Sequence, residues 1–335
     1  MSNTQSISVH YAAELARIQE PVRDNLDSVV DEIRRIILSD FEIHKEVNDY
    51  LMKMRGKLFR PTLLLLASEV GGRSHEDAVA LAAVVELVHL ATLVHDDAVD
   101  HSVLRRGLPT VNYLWNHQVA IITGDFLYSR SILELTRIGS LEAVHSLARA
   151  SNEMSVGEMR QLVSYDALEF SEEDCYRLMA CKTASLMSAA CDMGGLIGVK
   201  EYREAFRDFG YALGMAFQIA DDLLDYEGSE ESTGKPVGHD LRERKVTLPL
   251  IEAMRHVEPD DRDRIQRFFM RLEPSDDEIE GIVDAVRRVG GLEYARGRAE
   301  EFAQDANSAL DKIPIADKAM DALRESIRYA IERKR

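Results

Sequence analysis

The chain has 335 residues, with 41 basic and 59 acidic side chains and a net charge of −18. That balance argues against general nucleic-acid binding and against electrostatic adhesion to anionic lipid. Its length admits a full core, and its cysteines, Cys175, Cys181 and Cys191, form no C-x-x-C pair, which points to reduced thiols and a cytoplasmic location.

The first ten residues, MSNTQSISVH, are polar, lack the apolar segment of a signal peptide and read as a flexible tail. Beyond them, apolar residues recur at i, i+3, i+4 and i+7 while period-two alternation is scarce. The expected class is therefore all-α, a single large helical bundle covering 1–335. Residues 11–38 read as a first helix, bent at Pro21. A connecting stretch leads to MRGKLFRP (54–61), which opens the helix TLLLLASEV. The apolar run 81–94 is interrupted by Glu86 and His89 and falls short of the roughly 18 residues of a membrane span. It continues to about Asp97, followed by the polar loop HSVLRRGLP and a helix through VNYLWNHQVAIITGDFLYSRSILELTR. Ser171 with Asp174 and Ser275 with Glu278 have capping-box spacing, predicting helices over 172–196 and 276–289. Another helix covers 201–227 and ends in the Gly/Pro/Ser-rich loop 228–245, and residues 246–333 give four or five further amphipathic helices.

Two helix ends carry the chemistry. In LVHDDAVD, Asp96 and Asp100 lie one turn apart on one face and Asp97 is rotated by about 100°. Carboxylates at the end of an apolar helix either face water or hold hard cations through oxygen. FQIADDLLD repeats the arrangement with Asp221, Asp222 and Asp225, and two such clamps facing each other would make one site.

With both acidic motifs placed, residues 30–310 resemble the trans-isoprenyl diphosphate synthases, the polyprenyl synthetase family. The likeness rests on LVHDDAVD, FQIADDLLD, GKLFRP (56–61), RRGLPT (105–110), KTASL (182–186) and GKPVGHDLRERKVTLP (234–249), in that order. Arg244 departs from it, standing where the family usually has Gly before the lysine matched by Lys245. The resemblance implies a prenyltransferase that extends an allylic diphosphate, farnesyl or geranylgeranyl diphosphate, with successive isopentenyl diphosphates. It further implies three magnesium ions, with Asp96 and Asp100 holding two, Asp221 the third, and Asp97, Asp222 and Asp225 acting directly or through water. Arg105, Lys182, Lys235 and Lys245 would clamp the allylic diphosphate. Lys57, Arg60, His89 and Arg106 would form a metal-free pocket for isopentenyl diphosphate, where guanidinium geometry suits phosphate. Thr183 and Gln218 are candidates to place neutral dipoles near the carbocation. A homodimer is also implied, with no transmembrane segment and peripheral membrane contact for product release.

Small residues one turn below the first clamp, Ala91 and Thr92, with Val88 and Val85 continuing the stripe, predict an open tunnel. At about 5.4 Å per turn, roughly one isoprene unit, a long-chain product of roughly six to ten units is expected. The alternative within the class is a short-chain farnesyl or geranylgeranyl diphosphate synthase. A terpene cyclase shares the first motif but usually not a symmetric second one. From other classes, Glu86 with His89 and Glu142 with His145 match the Glu-x-x-His pairs of a ferritin-like di-iron bundle, and a non-catalytic partner subunit should have lost one clamp.

Overall fold

Pro21 divides the first predicted helix, because its ring removes a backbone donor and crowds the preceding turn. The computed structural model describes residues 12–54, 56–72, 75–163, 169–227, 238–270 and 275–332. Residues 1–10 and Lys235, and with it most of the 228–245 loop, lie outside the described residues. A helix over 12–19 (α1) passes through a 3-10 turn at Glu20–Val22 into α2 (Arg23–Ile36), which buries Leu26, Val29, Val30, Ile33 and Ile36 along one stripe. The stretch read as a connection contains a further helix, α3 (Glu42–Lys53). Its buried Asn48 donates to the Ile37 carbonyl at 2.8 Å, tying α3 to the end of α2.

Next come α4 (Phe59–Glu69) and α5 (Ala78–Val99). Among the described residues α5 is the one helix long and apolar enough to cross a membrane, yet Leu81 to Val85, Leu87, Val88 and Ala91 are buried in the protein core. A hairpin of β1 (Leu104–Arg105) and β2 (Leu108–Pro109) follows, with Leu104 opposite Pro109 and Arg105 opposite Leu108. Its loop residues, Arg106 and Gly107, have φ of 52° and 76°, the positive pair a type I′ turn requires. The helix expected from Val111 onward is broken into α6 (Val111–Leu114) and α7 (His117–Ile138). Asn116 is the cause: its backbone is extended and its side chain accepts from the Val119 N–H at 2.8 Å, a better N-cap than helix interior.

After α8 (Leu141–Val163) both expected capping boxes are present. Ser171 opens α9 (Glu172–Met179) and Ser275 opens α15 (Asp276–Arg288). The helix expected over 172–196 is interrupted by a π turn at Ala180–Ala184 before α10 (Ser185–Ile197). The remaining elements are α11 (Arg203–Glu227), α12 (His239–Arg242), α13 (Leu248–His256), α14 (Pro259–Met270), α16 (Gly291–Leu310) and α17 (Lys318–Ile331).

The bundle is built around α10, in which Ser185 to Leu196 are all buried. It packs against α4, α8 and α11, while α5 packs against α2, α4 and α7, and α11 also lies along α16. Small residues allow this crowding. A Cβ at Gly194 would stand 2.4 Å from the Leu64 carbonyl oxygen of α4, and one at Gly214 of α11 would stand 2.5 Å from Ala184 Cα. A second apolar cluster, including Met215, Ile219, Leu223, Leu250, Phe268 and Ile282, joins the end of α11 to the outer helices α13 to α16.

One buried ion pair fixes the start of α11 to α10. Arg203 donates to both oxygens of Asp192 at 2.9 and 2.8 Å, and Asp192 is 3% exposed. Arg203→Ala strands that carboxylate, so it should cost about 3 kcal/mol, read as a lower urea midpoint, with Arg203→Lys recovering part of the loss.

Candidate active site

At the end of α5 the three acids part company. Asp100 caps the helix at the surface, Asp96 is half-buried, and Asp97 is buried. The Asp97 carboxylate accepts from Arg105 Nε, 2.8 Å from each oxygen, and from Nη2 at 2.8 Å. In this state Arg105 therefore holds Asp97 instead of projecting alone toward a diphosphate. Burial, and then the charge of Glu158, push the Asp96 pKa up to about 7 against the opposing fields of Lys182 and Arg105.

The π turn sends neighbouring side chains to different helices. Lys182 turns to α8, donating to Gln161 at 2.9 Å and pairing with Glu158 at 2.8 Å. Thr183 turns to α11, its hydroxyl donating to Gln218 Oε1 at 2.7 Å. Gln218 Nε2 in turn donates to Asp222 at 2.8 Å, so the amide dipole is held from both ends. Single-turn widenings of this kind recur at functional sites.

At the end of α11, Asp225 accepts from the backbone N–H groups of His239 and Asp240 at 3.1 and 2.9 Å, while its carbonyl accepts from Gly238 at 3.0 Å. Asp225 thus caps α12, a duty that its i+4 spacing from Asp221 does not disclose. Asp240, an acid inside a segment read for its lysines, joins the cluster. Burial, followed by Asp225, raises its pKa to about 6, and burial, followed by Asp240, raises that of Asp222 well above the carboxylate range. Among the groups acting on Asp240 and Asp222 are Asp221 and Lys245. Burial works against the Lys245 charge, but its 2.5 Å hydrogen bond to Glu243 and the fields of Glu243, Asp240 and Asp100 raise its pKa above the ordinary value. Lys245 therefore senses both aspartate motifs.

A separate basic pocket lies on another side of α5. Arg60 Nη1 is 3.1 Å from His89 Nε2, and Arg106 donates to the Met54 carbonyl at 3.1 Å. Burial and then Arg60 push the His89 pKa well below its usual value, leaving a neutral imidazole. Lys57 stands at the entrance to α4, with its carbonyl held by Gln19 at 2.9 Å. Glu86 adds an acid that the sequence reading placed elsewhere. Burial raises its pKa although Arg60 and Arg106 oppose the shift. The adjoining cavity is lined by His89, Arg105 and Arg106 and by apolar residues of α2, α3 and α5, among them Leu90 and Leu93.

None of Val85, Val88, Ala91 and Thr92 lines that cavity. Val85, Val88 and Ala91 are packed in the core, and the Thr92 hydroxyl donates to the His89 carbonyl at 2.8 Å. The two Glu-x-x-His pairs do not meet. Glu86 and His89 face arginines, whereas Glu142 is at the surface, bound by Lys200 at 2.7 Å and Arg203 at 2.8 Å.

Among the described residues no three Asp, Glu, His or Cys side chains form a ready ion cage. That suits a magnesium-like cation, which takes one or two carboxylates and completes its shell with substrate phosphate oxygens and water. The crowded carboxyls of Asp96, Asp222 and Asp240 are oxygen donors that such a cation would relieve.

An all-helical bundle with two aspartate-bearing helix ends and a cluster of arginines is the arrangement expected of a prenyltransferase. A family model described as polyprenyl synthetase matches residues 41–286, and the chain belongs to that family. It is similar to octaprenyl diphosphate synthase of Escherichia coli, 35% identical over 304 residues, which cover 90% of this chain and 93% of that protein. Among solved structures it resembles a decaprenyl diphosphate synthase from Rhodobacter capsulatus, with TM-score 0.89, 36% identity and coverage of 96% and 99% of the two chains. A polyprenyl synthase from Caulobacter crescentus complexed with calcium and isoprenyl diphosphate also gives TM-score 0.89, with 33% identity and coverage of 96% and 98%.

Gly56 gives a direct test of the arginine pocket. A Cβ there would lie 2.8 Å from Arg106 Nη1, so Gly56→Ala should swing the guanidinium away without disturbing the backbone. Were isopentenyl diphosphate the ligand of this pocket, its binding, measured calorimetrically, should weaken roughly tenfold, the loss of one charge-assisted hydrogen bond, while the melting temperature stays within a few degrees.

Proposed function

We propose that this chain is an all-trans polyprenyl diphosphate synthase acting as one catalytic domain in the cytoplasm. It would extend an allylic diphosphate with successive isopentenyl diphosphates to a long-chain product. The observation that carries this reading is Lys245, on which Asp100 of the first motif and Asp240 beside the second both act. That shared influence supports a single site for cations and one diphosphate at the two acidic helix ends, with Arg60, His89 and Arg106 serving the second substrate.

The reaction heterolyses the allylic C–O bond, with the electron pair leaving on diphosphate. The isopentenyl double bond attacks the resulting cation, and loss of a proton restores a double bond. Three magnesium ions, held by Asp96, Asp100 and Asp221, would neutralise the leaving group. Lys182, Lys235 and Lys245 would hold its remaining oxygens, and Asp225 and Asp97 support the site through α12 and Arg105. The neutral pair Thr183 and Gln218 would face the cation without offering a nucleophile that could capture it. The departing diphosphate would take the proton. Lys57, Arg60, His89 and Arg106 would orient isopentenyl diphosphate.

With magnesium, farnesyl diphosphate and isopentenyl diphosphate, mass spectrometry should find a product of roughly six to ten units, abolished by chelation. Ala91 is packed in the core, so Ala91→Phe tests descent of the tail past this turn: a shortened product is expected, and an unchanged length rules that path out. Arrest of the native chain at three or four units would move the tunnel floor up to this turn.

The partner we infer is a second copy of the chain. Tyr113, Ile121 and Ile122, on α6 and α7, are 61%, 49% and 57% exposed, and Leu104 and Leu114 are exposed as well, apolar surface that a monomer would leave in water. Light scattering should give twice 37.8 kDa, and Ile121→Glu with Ile122→Glu should give the single mass.

A further inference from the structure

Arg244 occupies a backbone position that disfavours it. Its φ is 58°, in the left-handed region where a side chain crowds its own carbonyl, a conformation costly for residues other than glycine. The family-like segment would carry Gly there, so some interaction must hold the arginine. The side chain supplies it. Nη1 donates to the carbonyls of Phe268 and Phe269 at 3.1 and 2.7 Å, in the last turn of α14, and the guanidinium lies 6.0 Å from the Phe268 ring centre. Those carbonyls lie in the last turn of α14, at the negative end of the helix dipole, so a cation is a fitting partner.

The same residue turns the chain. Arg244 N–H donates to Leu241 at 3.0 Å and Lys245 N–H to Asp240 at 2.8 Å, closing the end of α12. Arg244 therefore reaches outward to α14, while the next side chain, Lys245, is held by Glu243 at 2.5 Å, within the fields of Asp240 and Asp100. Nearby, Arg242 pairs with Asp276 at the start of α15 at 2.6 Å. The segment carrying the lysine is thus moored at two points to outer helices that otherwise carry no chemistry.

We propose that Arg244 is a positioning residue for the reaction, through which the last turn of α14 fixes the Lys245 ammonium over the cation and allylic diphosphate site. The inference rests on the proposed role of Lys245. It assigns a function to the outer helices, since a change at the end of α14 reaches the site through one guanidinium.

The test is steady-state kinetics of the full chain with magnesium and both substrates. Arg244→Gly relieves the backbone strain, so it folds, and it removes the tether. It should raise KM for the allylic diphosphate, or lower kcat, by about tenfold and leave KM for isopentenyl diphosphate unchanged. Arg244→Lys, which keeps one donor, should recover part of the loss. In the Lys245→Ala background, Arg244→Gly should add nothing, because its effect passes through the missing ammonium. A purely structural role would lower the melting temperature and the active fraction without changing either KM. Unaltered kinetics of Arg244→Gly, beside an impaired Lys245→Ala, overturn the inference alone, as does a double variant whose loss is the product of the single losses. Unaltered kinetics of Lys245→Ala overturn the assigned role of Lys245 and the inference with it.

Discussion

The close approach of backbones around α10 sets the rest of the molecule. Where Gly194 meets the Leu64 carbonyl and Gly214 meets Ala184, there is no volume for a single methyl group, so α4, α10 and α11 touch main chain to main chain. Interiors packed to this density do not deform gradually. The ends of α5 and α11 are therefore fixed relative to the π turn between α9 and α10, which sends Lys182 to α8 and Thr183 to α11.

The price of that rigidity is electrostatic. Asp96, Asp222 and Asp240 sit where burial disfavours their charged forms, and each feels other acids. Lys245 and Lys182 offset part of this repulsion, and hydrogen bonds from Gln218 to Asp222 and from backbone amides to Asp225 offset more. The arrangement is complementary to positive charge that the protein itself does not supply in full. The basic pocket shows the opposite choice: Arg60 and Arg106 face a half-buried Glu86 and a neutral His89, so an anion entering there meets cations already held in place.

The helical class, the capping boxes at Ser171 and Ser275 and the two acidic motifs were legible in the sequence because each depends on local spacing. What was not legible depends on tertiary partners. The grip of Arg105 on Asp97, and the capping of α12 by Asp225 where the chain returns at Gly238, are visible only in the fold. The break at Asn116 could have been read from an N-cap residue followed by a helix, but apolar periodicity on both sides concealed it. The π turn has no sequence signature of comparable strength, since five residues of ordinary helix propensity occupy it. Asp240 was on view in HDLRERK, where attention to the basic residues hid an acid.

The hairpin at 104–109 carries two arginines that line one cavity together with Asp97, Glu86 and His89. Arg105 and Arg106 are consecutive, so their Cα atoms are about 3.8 Å apart whatever the helices do. The positive φ of Arg106 and Gly107 throws one guanidinium to Asp97 and the other toward Met54 and Glu86. One peptide unit thus serves both the carboxylate at the end of α5 and the arginine pocket, so a change in the turn at Arg106 and Gly107 reaches both at once.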